Sequence, residues 1–334
     1  MRASGVGLRG EAKAADGRRN APPRHFLDLD ALSGEVLRGL VAEARRMKAV
    51  RRGLPRGAPD PDAPLAGHML LMIFQKASTR TRISFEMAMR QLGGAASDLA
   101  GDRLQLGRGE SIADTARVLS AYGDAILLRT YRHSDLMEMA RHASVPVINA
   151  LTDHSHPCQI LADMLTIEER LGAIAGRPVA YIGDGNNVAH SLIHAAMRFD
   201  FPLRIATPQG CEPDAAVVAA AREAGAEIRL TRDPGDAVAD AIAVYTDTWV
   251  SMGQERDADD LAMFEPYRVD EALMAAAAPE AIFLHCLPAH RGQEVTDAVM
   301  DGPQSAVWAQ AENRLHAQKA ILRWCLGAAP AAAP

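Results

Sequence analysis

The chain has 334 residues, 48% apolar and 23% charged, a balance that suits a packed soluble globule and, by length, two domains. Its net charge of −6 and its aromatic content of 4% exclude a general nucleic-acid binder and leave only local basic pockets. No apolar run reaches the roughly 18 residues of a membrane span, and the four cysteines (Cys158, Cys211, Cys286, Cys325) form no C-x-x-C pair, so a reduced, cytoplasmic protein is expected.

Residues 1–23 mix Arg2, Arg9, Lys13, Arg18 and Arg19 with Glu11 and Asp16 and show no apolar face. They read as a disordered extension rather than a transit peptide. From there the chain alternates short apolar runs with helical periods. "LLMIF" (70–74) predicts a strand and 79–92 a helix. Helical "ESIADTARVLSAYG" (110–123) leads to strand "AILLR" (125–129), and helical "DLMEMARHA" (135–143) to strand "VPVIN" (145–149). The segment 156–172 is a strong helix, with Pro157 in its first turn and Gly172 at its C-cap.

After that helix the rhythm restarts. Strands are expected at 179–183, 203–207, 227–230, 241–246 and 281–286, and a helix at 213–225 between a proline and a glycine. The pattern predicts an α/β fold of two doubly wound parallel-sheet domains bridged by helices. The first domain spans 24–155 and the second 156–310. The last helix, 311–326, packs back to complete the first domain. The alanine- and proline-rich tail is expected to be disordered.

Ligands of open parallel sheets sit beyond the carboxyl ends of the strands. "QKASTRTR" (75–82) occupies such a place, between a strand and a helix. Ser78 can cap the helix, whose first N–H groups and dipole favour an anion. Thr79 and Thr81 add hydroxyls, and Arg80 a planar fork suited to phosphate. A Walker loop is excluded, because G-x-x-x-x-G-K-[ST] is absent. His156 and Gln159 of "HPCQ" and Arg129 at the end of "AILLR" are donors suited to a polarised carbonyl and its NH2 group.

"GDGNN" (183–187) invites a dinucleotide reading, but Val188 stands where the third glycine of G-x-G-x-x-G belongs. A polar turn offering Asn186 or Asn187 to a ligand fits better. Asp247 of "DTWVSMG" can hold a cationic amine, with Gly253 letting the loop move; an ordinary surface loop is the bland alternative. Cys286 of "HCLP" can be a structural thiol, a polarisable contact or a nucleophile, although nothing supplies an activating pair. Arg314 of "AENR" is either a helix-surface charge or a donor returning to the cleft.

Taken in order, "STRTR", "HPCQ", "DTWVSMG", "HCLP" and "AENR" resemble the transcarbamoylase family over about residues 24–326, most closely its ornithine branch. The first two motifs are shared with the aspartate branch, while "SMG" and "HCLP" discriminate. The resemblance implies carbamoyl transfer from carbamoyl phosphate to L-ornithine, giving L-citrulline and phosphate in arginine biosynthesis. Runners-up are the catabolic enzyme and a transferase acting on a modified ornithine or another amine. It implies a homotrimer with small-molecule substrates, no nucleic acid or membrane partner, and no metal or organic cofactor. Any soft ion at Cys286, such as zinc, would inhibit.

Carried over by motif, Ser78, Thr79, Arg80 and Thr81 bind phosphate, and Arg129, His156 and Gln159 bind the carbamoyl end. Gln105 is expected to reach a neighbouring subunit's site. Asn187, Asp247, Ser251 and Met252 contact ornithine, while Cys286, Leu287 and Arg314 complete the carbamoyl phosphate pocket. Arg129, His156, Thr81 and Cys286 are the catalytic set, and the Leu287–Pro288 bond is expected to be cis.

Overall fold

The computed structural model describes residues 22–76, 78–100, 109–250 and 257–328. The first half contains α1 (Gly34–Val50), β1 (Met69–Phe74), α2 (Thr79–Gln91), β2 (Ala95–Ala100), α3 (Ile112–Tyr122), β3 (Ala125–Arg129), α4 (His133–His142) and β4 (Val147–Leu151). Helix α5 (Pro157–Leu171) leads into β5 (Val179–Ile182), α6 (Asn187–Phe199), β6 (Leu203–Ala206), α7 (Ala215–Glu223), β7 (Ile228–Thr231), α8 (Pro234–Val238) and β8 (Ala243–Thr246). The chain continues through α9 (Ala258–Ala262), α10 (Glu271–Ala275), β9 (Ile282–His285), α11 (Asp297–Met300) and α12 (Val307–Cys325).

Two parallel sheets result, ordered β2-β1-β3-β4 and β7-β6-β5-β8-β9. Their strands are apolar runs such as "MLLMIF" and "AILLR", buried because helices cover both faces. In the first sheet the winding direction reverses between β1 and β3, and in the second between β5 and β8. Such reversals open a crevice at the strands' carboxyl ends. The residues that leave β1, β3, β5 and β8 are therefore the ones the fold presents to a ligand.

Helices α5 and α12 run between the sheets. α5 is buried along nearly its whole length, from Pro157 to Ile167, and α12 packs against α1, α2 and α5. A cluster of charges secures α12: Lys319 Nζ lies 2.6 Å from Asp60, which Arg51 approaches at 2.7 Å, all three nearly or fully buried.

The structure departs from the sequence expectation in definite places. The expected strand 145–149 runs from Val147 to Leu151. Pro146 has no N–H to give; it only accepts from the Ile126 N–H, and ladder pairing begins after it. The final helix starts at Val307, ahead of the expected 311. Helices α1, α6, α8, α9, α10 and α11 and strand β2 have no counterpart in the expectation. β2 escapes notice because "AASDLA" contains no β-branched residue; it is an edge strand recruited by β1.

Candidate active site

A cleft of about 850 Å³ lies where the four strand ends meet. Its first wall comes from the β1–α2 junction. Ser78 caps α2, its Oγ accepting from the Thr81 N–H at 3.3 Å. Ser78, Thr79, Arg80 and Thr81 all line the cleft, with Arg80 exposed and Thr81 buried. Lys76 also lines it, its ammonium 4.3 Å from the centre of the Tyr131 ring. Burial and then the Arg129 charge push the Lys76 pKa down.

Arg129 ends β3 and is 3% exposed. Burial, followed by the charge of Arg314, lowers its pKa to about 10, so it stays cationic at neutral pH. Its Nε has no hydrogen-bond partner among the described residues, which leaves a donor at the pocket wall. His156, at the N-cap of α5, is buried and held well below the usual imidazole pKa, first by burial and then by Arg314 and Arg129. It is a neutral imidazole with Nδ1 unpartnered among the described residues.

Arg314 reaches the same place from α12. Its Nη1 donates to Gln159 Oε1 at 2.9 Å and its Nη2 to Thr81 Oγ1 at 2.7 Å. Since the Thr81 oxygen accepts from Arg314, the Thr81 hydroxyl proton is available to something else. Gln159 does not line the cleft: it is fully buried, and its Nε2 donates to Asp163 at 2.8 Å. Both ends of that amide are occupied by protein groups, so in this conformation it acts on the cleft through Arg314. Gln310 Nε2 donates to the same Asp163 oxygen at 2.8 Å, and Gln310 Oε1 accepts from the His285 N–H at 2.9 Å. A single buried chain thus joins Thr81 to the end of β9.

The opposite wall is acidic. Asp247 leaves β8 nearly buried, accepting from Asn186 Nδ2 at 2.9 Å and from the Cys286 thiol at 2.8 Å. Burial and then the Asp247 charge raise the Cys286 pKa well above the usual thiol range. Cys286 is therefore a protonated donor, and the nucleophile reading lacks the thiolate it needs. His285 is no base for it: its Nδ1 accepts from the Leu287 N–H at 2.9 Å, and Nε2 faces Glu294 at 3.3 Å. Leu287 lines the cleft, and the Leu287–Pro288 bond is cis.

Asn187 is turned by its 2.6 Å bond to the Thr152 carbonyl, while its neighbour Asn186 caps α6 and holds Asp247. Both line the cleft. The glycines of "GDGNN" have a purely local cause. A Cβ on Gly185 would sit 2.2 Å from the Pro213 nitrogen, and Gly183 has φ of +128°. No diphosphate is required to explain them. Gln105, Ser251 and Met252 lie outside the described residues. Asp153, Asp184, His190 and Glu212 line the cleft without having been singled out. Asp184 was findable, because it follows directly on a strand end; Glu212 comes from a loop and carries no comparable signal.

The arrangement is bipolar: Arg80, Arg129, Arg314 and Lys76 face Asp247, Asp184 and Glu212 across one crevice. It suits a small anion and a cationic or amine group brought together. Comparison with known proteins gives this pattern a family. Residues 24–169 match the family model described as "Aspartate/ornithine carbamoyltransferase, carbamoyl-P binding domain", and residues 175–325 match its "Asp/Orn binding domain". The chain belongs to the aspartate/ornithine carbamoyltransferase family.

Among relatives of this carbamoyltransferase, the ornithine carbamoyltransferase of Rhizorhabdus wittichii is 59% identical over 304 residues, covering 91% of this chain and 98% of the relative. The solved ornithine carbamoyltransferase of Pyrococcus furiosus superposes with a TM-score of 0.86 at 49% identity, covering 92% of this chain and 99% of its own. The anabolic ornithine carbamoyltransferase of Campylobacter jejuni does so with a TM-score of 0.83 at 39% identity, covering 90% and 98%. The two-domain parallel-sheet fold expected from the sequence is the fold these carbamoyltransferases share.

Proposed function

We propose that the chain catalyses carbamoyl transfer from carbamoyl phosphate to L-ornithine, and that it works in arginine biosynthesis. The observation that carries this reading is the segregation of charge across the cleft. Cations at the ends of β1 and β3 and on α12 meet a dianion, and Asp247 at the end of β8 meets an amine. In this reading residues 24–155 with helix 311–326 hold carbamoyl phosphate, and residues 156–310 hold ornithine.

Ser78, Thr79, Arg80 and Thr81 clamp the phosphate with the α2 N-terminus. Arg129, His156 and the Cys286–Leu287 turn face the carbamoyl group, with Gln159 fixing Arg314. Asp247, Asn187 and the 251–252 loop receive ornithine. Once its δ-amine is neutral, the lone pair attacks the carbonyl carbon. Charge builds on the carbonyl oxygen, where Arg129 and the Thr81 hydroxyl stabilise it; loss of one such donor typically costs about 10²–10³ in turnover. The C–O bond to phosphate then breaks, and the departing phosphate takes the amine proton, so no dedicated protein base is needed. Orientation across the cleft supplies much of the remaining acceleration. Gln105 would come from a neighbouring subunit of a homotrimer, in the cytoplasm.

The test is a citrulline assay on purified protein, with ornithine compared against N-acetylornithine and putrescine. Ornithine-dependent product is expected. Turnover of another amine in its place would reject the substrate assignment. Arg80→Ala is expected to raise mainly the KM for carbamoyl phosphate, and Asp247→Ala that for ornithine; the reverse split would overturn the division of the cleft.

A further inference from the structure

Behind the cleft, the segment that precedes α1 crosses the middle of α6. There one ligand atom each from Asp28, Asp30 and His194 falls within 4.8 Å of the others. His194 Nδ1 and Asp28 Oδ1 are 3.0 Å apart. Asp28 and His194 are 6% and 5% exposed, while Asp30 lies open to solvent and gives an ion a way in.

A buried imidazolium–carboxylate pair accounts for only part of this. It occupies Asp28 Oδ1, which also accepts from the Leu29 N–H at 2.7 Å. It leaves Asp28 Oδ2 buried without a close hydrogen-bond partner among the described residues, although the Ser155 side chain also helps hold the carboxylate. It also leaves a second carboxylate, Asp30, beside an imidazolium already balanced by Asp28. The nearby cation, Arg198, is bonded to the Asp30 backbone carbonyl. Other imidazoles surround the spot. His154 lies 6.1 Å from His194, centre to centre, and His190 is committed on both nitrogens, to the His154 carbonyl and the Asp214 N–H.

We propose that Asp28, Asp30 and His194 form a binding site for a first-row divalent cation of the zinc or cobalt class. Two carboxylates and one imidazole are a donor set such ions accept. On loading, the His194 Nδ1 proton leaves to solvent and its lone pair goes to the metal. Asp28 gives its Oδ2 while Oδ1 keeps the Leu29 N–H, Asp30 gives one oxygen, and water fills the remaining position. Two negative charges then face two positive ones. With metal–ligand bonds of about 2.0–2.1 Å, neighbouring ligands in a tetrahedron stand about 3.3 Å apart, so ligand atoms that lie within 4.8 Å of one another close in by side-chain rotation. The ion would clip two halves of the molecule together, because Phe26 of the same segment pairs with Ile148 in β4 whereas α6 covers the second sheet.

The experiment takes chelator-stripped full-length protein and titrates Co2+ by visible absorption and Zn2+ by calorimetry and thermal melting. One ion per chain is expected at this site, with a Co2+ spectrum lacking a thiolate charge-transfer band. A rise in Tm of about 4 °C is expected at a hundredfold excess over Kd. Asp30→Ala, at an exposed position, and His194→Gln, which keeps a donor to Asp28, should each abolish both signals. Binding unchanged in both variants, or a thiolate band, would place the ion elsewhere, as at Asp247 and Cys286, and overturn the proposal. So would no binding at all, with the variants altering only the proton-linked stability.

Discussion

At the scale of single residues, the most consequential side chain outside the cleft is Asp163. One of its oxygens accepts from both Gln159 and Gln310, and burial pushes its pKa up to about 7. It decides which way the Gln159 amide faces and so which end of it meets Arg314. Asp163→Ala is expected to lower turnover on the order of 10²-fold, in proportion to the loss of Arg314 and Thr81 geometry. Asp163→Asn retains the accepting oxygen and should recover most of the rate; a steady-state comparison of the two variants checks this. The raised folded pKa means that ionising Asp163 opposes folding. Its cost grows from the unfolded carboxylate value near pH 4 up to about pH 7, so denaturant midpoints of Asp163→Asn should be flatter than wild type in that window. His194 has the opposite sign. Burial opposes its charge, but the hydrogen bond and charge of Asp28 prevail and raise its pKa. The stabilisation it gives is fully present below about pH 6.5 and is lost as pH rises through the raised folded value. In chelator, His194→Gln should remove that loss.

Elements explain both what the sequence disclosed and what it hid. Strands β1, β3 and β5 were legible as apolar runs closed by polar residues, and Ser78 was legible as a cap. β2 was not, because its run lacks β-branched residues, and the start of α12 was not, because that helix forms against partners far along the chain. The same holds for the site. "STRTR" announces an anion site by itself. The reach of Arg314 to Thr81, 233 positions earlier, is visible only once α12 lies across α2. Two tests belong at this scale. Gly185→Ala would drive a Cβ into the backbone at Pro213, and an overpacking cost of about 1–3 kcal/mol is expected in urea melts. Lys319→Ala would leave Asp60 buried with Arg51 alone and unpin α12 from the loop after α1; a loss of about 1.5–3 kcal/mol is expected in the same measurement.

For the whole molecule, the two winding reversals set the geometry of the reaction. They point the carboxyl ends of β1 and β3 at those of β5 and β8, so opposite charges gather on opposite lips of one crevice while the chain as a whole remains acidic, at −6. A local basic pocket in a negative molecule draws a small dianion by its near field alone. Raising ionic strength from about 0.05 to 0.5 M shortens the screening length several-fold. It should lower kcat/KM for carbamoyl phosphate more than that for ornithine, as initial rates at varied salt would reveal.

The bond from Cys286 to Asp247 carries a practical consequence. A sulfhydryl lining a catalytic crevice invites covalent inhibitors, yet burial and Asp247 keep this one from the anionic form on which alkylating electrophiles depend. Iodoacetamide should label it far more slowly than an open cysteine at the same pH. Asp247→Asn, by removing the charge that adds to burial in holding the proton, should make it a faster target than in the wild type.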